Sequence, residues 1–164
     1  MNGVLWLNVL HVGTAMLFVA GLIGRSASFG RAAQAQDIHS AASLLRLSEW
    51  FERTLVIPAY FGVLVSGLLT ARAAGWPLWS GLADGAPKWP LLSLVLFLSP
   101  WLFIPTYLAP RRKRRAQALA DALSRQIVTP DLTSALRDRG VLLLRRVEFA
   151  MTAVVVVLMV AKPF

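Results

Sequence analysis

Residues 89–115 read WPLLSLVLFLSPWLFIPTYLAPRRKRR. The 22 residues from Trp89 to Pro110 carry no charged side chain, and five consecutive basic residues, Arg111 to Arg115, follow at once. A helix rises about 1.5 Å per residue and the hydrocarbon core of a bilayer is about 30 Å thick, so about 20 apolar residues cross it. Basic residues directly after such a run sit at headgroup level, where each meets anionic lipid with about 1 kcal/mol. The stretch therefore reads as a membrane span anchored at one end.

Two further runs fit the same description. Met1 to Gly24 gives 24 residues without charge and Thr54 to Ala71 gives 18. The last run, Phe149 to Ala161, has only 13, or 15 if Val147 and Glu148 are counted. Fifteen residues reach about 22 Å, too short to cross. A fourth span therefore has to begin near Gly140 and draw Arg145, Arg146 and Glu148 into the membrane edge. The composition supports this: AMTAVVVVLMVA at 150–161 is too apolar to leave in water.

The whole chain agrees. Of 164 residues, 57% are hydrophobic and 15% charged, with a mean hydropathy of +0.61. Average soluble domains have about 45–50% apolar and about 25% charged residues. The absence of cysteine excludes a disulfide scaffold and any cysteine-ligated metal site. The first run lacks a basic start and exceeds the 7–15 apolar residues of a secretory signal, so it reads as a span.

Lysine and arginine set the orientation. The connection 25–53 holds Arg25, Arg31, Arg46 and Arg53, and 111–146 holds ten more, so together they carry 14 of the 17 basic residues. These two should be cytoplasmic. The expected fold is all-α: an antiparallel four-helix bundle in one transmembrane domain, 1–164, with both termini on the outer side. Its spans are about 3–24, 54–72, 89–109 and 141–161, and its cytoplasmic loops 25–53 and 110–140. Trp6, Trp76, Trp79 and Trp89 would then lie at the outer interface, and Trp50 and Tyr107 at the inner one. The net charge of +9 is concentrated next to spans, which favours lipid headgroups as partners over nucleic acid. A second copy or another membrane protein is left open as a partner. The setting implied is a bacterial inner membrane.

The cytoplasmic loops carry helical signals. Ala116 to Ile127 places Leu119, Leu123 and Ile127 on one side and reads as a surface helix on the inner interface. Asp37 to Arg53 reads as a helix entering the second span, with Glu49 and Arg53 spaced for an i,i+4 pair. Gly75, Pro77, Gly81, Gly85 and Pro87 mark the outer loop as turns.

Inside the spans, polar residues are costly and tend to face the protein. His11 is the only histidine in a span. Asn8 and Arg25 share its helix face, with Phe18 and Leu22 between. On the last helix Arg145, Glu148, Thr152 and Met159 share a face. Glu148 would pair with Arg145, Arg25 or Arg53. Imidazole is both a haem ligand and an interhelical hydrogen-bonding group, and His11 fits either role. Ala20-x3-Gly24 and Gly62-x3-Ser66-x3-Thr70 read as close-packing seams, and Pro58, Pro100 and Pro105 as bends. No phosphate loop or zinc spacing exists, and His39 lies in a loop without clustered carboxylates.

Leu10-His11, the Gly21-Leu22-x-x-Arg25 exit, Thr54-x-x-x-Pro58 with Gly67 beyond, and the close Met159-Val-x-Lys-Pro-Phe164 carry a resemblance. The chain resembles an uncharacterised bacterial family of predicted integral membrane proteins of unknown function. That family is similar in layout to the four-helix haem-binding type of protoporphyrinogen oxidase and to the membrane part of copper-resistance proteins. The resemblance implies a haem b bound through His11 as metal ligand and Lys88 as a catalytic lysine. It also implies an Arg145…Glu148 pair opening the last helix. With one membrane histidine, the axial set it implies is His11 with Met159, or His11 alone on a five-coordinate iron. Two functions follow: a haem-binding redox protein, or a non-enzymatic membrane subunit or small-solute carrier whose His11 and Glu148 only stabilise packing.

Overall fold

A computed structural model describes residues 2–76 and 88–162, with the side chains of residues 2 and 103–105 excepted. Trp79 and the turn residues Pro77, Gly81, Gly85 and Pro87 lie outside the described residues.

Helix α1, Asn2–Ala32, has 31 residues and is about 46 Å long at the helical rise, well beyond the hydrocarbon thickness. Asp37 then caps α2 (Ile38–Phe51), its side chain accepting from the Ser40 N–H at 2.8 Å. α2 runs through a single π-helical turn, Glu52–Val56, into α3 (Ile57–Ala73). Pro58 explains the turn. It has no N–H to give back to the preceding turn, and the wider spacing absorbs the defect without ending the helix.

α4, Trp89–Arg125, has 37 residues. It bends by 41° between its segments Trp89–Leu102 and Thr106–Arg125. It closes on Gln126 in the left-handed conformation (φ 58°). Thr129 caps the short α5, Pro130–Leu136. Asp138 caps α6, Arg139–Ala161, accepting from the N–H groups of Gly140 and Val141.

The contacts fix how the helices lie. Along α1, Gly21 meets Leu55 and Val56, Thr14 meets Gly62 and His11 meets Gly67, so α1 and α2–α3 are antiparallel. Ser99 opposes Met151 and Arg111 opposes Asp138, so α4 and α6 are antiparallel too. The two pairs join through Phe18, Tyr60 and Phe97, with Tyr60 stacked on Phe97 at 4.5 Å and on Trp101 at 4.6 Å. At the basic end, Phe29, Ile38, Leu45, Ala122, Leu132, Leu136 and Val141 form a buried cap from five helices.

The segments 25–53 and 110–140 are mostly helix, in line with their helical signals: α1 and α4 run on past their apolar stretches, and α2 runs into α3. One expectation changes. Ala116–Ile127 is not a separate helix on the lipid interface. Through Arg125 it continues α4, and its apolar face enters the cap, with Ala122 wholly buried and Leu119 and Leu123 packed beside it. Protein, rather than headgroups, covers that face.

The described chain is all-α. Two segments, Gly3–Ala32 and Ile38–Ala73, are long and apolar enough to cross a membrane, and bent α4 makes a third if taken as one span. In α6 the charges of Arg145, Arg146 and Glu148 shorten the apolar run.

Candidate functional site

Arg25 is only 6% exposed. α1 continues through this charge because other helices meet it. Its guanidinium donates to the carboxylate of Glu148 on α6 and lies 4.0 Å from Glu52 on the π turn. The hydroxyl of buried Ser48 donates to the Arg25 carbonyl at 3.0 Å, tying α2 to α1 at the same level.

The network continues across the fold. Glu52 also accepts from Arg112 on α4. Arg115, one turn on, lies 3.9 Å from the largely exposed carboxylate of Glu49. Arg111 pairs with Asp138 at 3.3 Å and stacks over Tyr107. Arg145 stands apart. Its guanidinium lies 3.9 Å from the Phe29 ring centre, and its buried Nη1 has no acceptor among the described residues.

These side chains surround a cavity of about 500 Å³. Its charged end is formed by Arg25, Glu49, Glu52, Arg112, Arg115, Arg145 and Glu148. Phe18, Val56, Ile57, Trp101, Leu108 and Met151 are among its apolar lining. The size lies within the roughly 300–1,000 Å³ of small-molecule sites, which are likewise mostly apolar with a few convergent polar groups.

Arg25, Arg145 and Glu148, three of the residues singled out in the sequence, meet here. Arg53 does not; its side chain is exposed. The expected Glu49–Arg53 pair is absent among the described ion pairs, and Glu49 turns to Arg115 instead. The π turn begins between them, and its wider spacing carries Arg53 off the α2 face that Glu49 occupies. Glu52, Arg112 and Arg115 join the cluster without having been singled out. The available signal was the i,i+3 spacing of Arg112 and Arg115, which places both on one face of a helix that does not stop at Pro110.

His11 lies nearer the opposite end. Its Nδ1 is 3.1 Å from the Ser66 hydroxyl, and Thr14 Oγ1 is 3.4 Å from the same oxygen. A Cβ added at Gly67 would lie 3.0 Å from His11 Cε1, so the ring fills the seam that the glycine leaves. Asn8, on the same α1 face, is exposed. Met159 is half-buried near the end of α6, and Lys88 is exposed just before α4. Trp76 and Trp89 make an edge contact, with Lys162 over Trp76, so the ends of α3 and α6 and the start of α4 lie together.

The surroundings of His11 are those of a packed helix seam. The imidazole is wedged between α1 and α3 with one nitrogen engaged, and it does not line the cavity. Among the described residues, no group of three or more His, Cys, Asp or Glu side chains is arranged to hold a metal ion.

Long apolar helices, lipid-sized exposed faces on α1 and α6, and charges gathered at one end define an integral membrane protein. The chain belongs to the family of predicted integral membrane proteins DUF2269, whose model matches residues 5–163. No curated protein and no solved structure matches it. The protein therefore contacts the lipid bilayer.

Proposed function

We propose that this is a non-enzymatic membrane protein that binds a small ligand in the cavity at its basic end. In this reading α1, α3, α4 and α6 all cross a bacterial inner membrane as an antiparallel four-helix bundle, with both termini outside and the cap of α2, α5 and the end of α4 in the cytoplasm. The distribution of arginine supports that orientation. The cavity carries the functional reading: about 500 Å³ lined by side chains from several helices, with its charges gathered towards the basic end.

His11, Ser66 and Thr14 act as interhelical glue, which agrees with the engaged Nδ1 and the Gly67 contact. On this reading no haem is held at His11. Protein purified from haem-replete cells should be colourless, and a Soret band that disappears in His11→Ala would restore the haem role.

Ligand binding is tested by extracting the protein with its native lipid and analysing the retained small molecules by mass spectrometry. Wild type should retain a species in near-stoichiometric amount, and Met151→Trp, which fills the cavity, should lose it. Equal retention by both would refute the reading. Reporter fusions at Gly81 and after Gln126 test the orientation: Gly81 should report outside and Gln126 inside.

A further inference from the structure

Resting on that reading, we infer that the cavity takes an amphiphile with one anionic head, a phosphate or carboxylate, and a single apolar chain. The head would face Arg145 and Arg115, and the chain would lie among Phe18, Ile57, Trp101 and Met151.

The charges at the cavity do not balance. Arg111 is matched by Asp138, which leaves four arginines against Glu49, Glu52 and Glu148. Glu148 is taken by Arg25, and Glu52 is shared by Arg25 and Arg112. Glu49 is 56% exposed and 3.9 Å from Arg115, so water screens much of that contact. No described ion pair reaches Arg145: its guanidinium lies over the Phe29 ring with a buried nitrogen without an acceptor, and Glu52 and Glu148 act on it only at longer range. An uncompensated buried cation is costly, and an anion supplied by a ligand removes that cost. Guanidinium groups suit this task because they hold carboxylate and phosphate oxygens in two-point contacts.

The rest of the wall selects the other half of the molecule. A hydrated inorganic ion would gain nothing from Phe18, Ile57, Trp101 and Met151. An alkyl or ring system would exchange water or lipid for close contact there. Trp101 lines the apolar part of the cavity yet remains 37% exposed, so that part opens onto the outer surface of α4, which faces lipid in the proposed topology. Access from the bilayer follows. At about 500 Å³ the site accommodates one chain, not a two-chain phospholipid.

The test uses full-length protein in nanodiscs of zwitterionic phosphatidylcholine, titrated with dodecyl phosphate, dodecanol or inorganic phosphate, with empty nanodiscs subtracted. Dodecyl phosphate should saturate a single site, with dodecanol and inorganic phosphate each at least tenfold weaker. Arg145→Gln should weaken dodecyl phosphate at least tenfold. Arg146→Gln, which removes a charge from the adjacent exposed position, should leave binding unchanged. If Arg145→Gln fails to fold, Arg115→Gln serves in its place with the same expectation.

Dodecanol binding as tightly as dodecyl phosphate would overturn the anionic head. Inorganic phosphate binding as tightly would overturn the chain while leaving a ligand cavity. No saturable binding by any of the three, with nothing retained on extraction, would remove the binding reading as well.

Discussion

The guanidinium of Arg25 on α1 donates to the carboxylate of Glu148 on α6, joining residues 123 positions apart in the sequence. Both side chains are nearly buried, at 8% and 12% exposure. Removing one partner of such a pair leaves the other desolvated and uncompensated, which costs about 3–5 kcal/mol. Glu148→Gln should fall at the lower end, about 3 kcal/mol, because Glu52 remains near Arg25. Denaturant titration in detergent, with Arg25→Met and the double variant, measures it. An additive cycle would mean that the two side chains do not depend on each other.

His11 and Ser66 form a modest interhelical hydrogen bond, and such bonds in membranes average about 0.6 kcal/mol. His11→Asn should therefore stay within about 0.6 kcal/mol of wild type. Gly67→Ala should destabilise the protein, because the new Cβ would lie 3.0 Å from the ring. In a His11→Ala background that penalty should largely vanish. A penalty unchanged by removal of the ring would place its origin elsewhere.

Gly21 gives α1 its closest approach to the π turn. A Cβ there would meet Leu55 Cβ at 3.0 Å and the Val56 backbone nitrogen at 3.2 Å. Backbone cannot rotate aside, so Gly21→Ala should cost about 1–3 kcal/mol as overpacking. Thermal unfolding followed by helical circular dichroism would show it. Gly13→Ala, where nothing lies within 4 Å, is the matched control and should be neutral.

Asp37 lies outside the membrane segments, and its hydrogen bonds from Ser40 hold its carboxyl below the ordinary 3.8. A lowered native value means that the folded chain favours the charged form. The stabilisation is thus fully present above the ordinary value and is lost as pH falls through the lowered one. Acidification should loosen the start of α2 in wild type. Asp37→Asn, which keeps an acceptor but does not titrate in this range, should lack that step. Amide exchange at Ser40 reports the outcome.

Among the described residues the three long uncharged runs fall in α1, in the π turn with α3, and in α4, because hydropathy is a local property that the chain displays residue by residue. Where these helices end was less legible. Arg25 looked like the edge of a span, yet α1 continues to Ala32, since the carboxylates that satisfy Arg25 come from Glu52 and Glu148 on other helices. The run Arg111–Arg115 read as one topological anchor. Its members separate by helix face, with Arg111 towards Asp138, Arg112 towards Glu52 and Arg115 towards Glu49. Spacing alone placed Glu49 with Arg53, and the π turn defeated it, because Pro58 signals a disturbance without saying how the helix absorbs it.

The cap built from Phe29, Leu45, Ala122, Leu132 and Leu136 gives the molecule two kinds of cohesion. In the proposed topology the cap lies outside the lipid, where those side chains are held together by expulsion of water. Between the long helices, hydrocarbon tails are as oily as leucine, and only shape fit and polar contacts hold. Heating or a harsher surfactant should then take the molecule apart in two stages, with the long helix pairs separating while the knot of α2, α5 and the end of α4 persists.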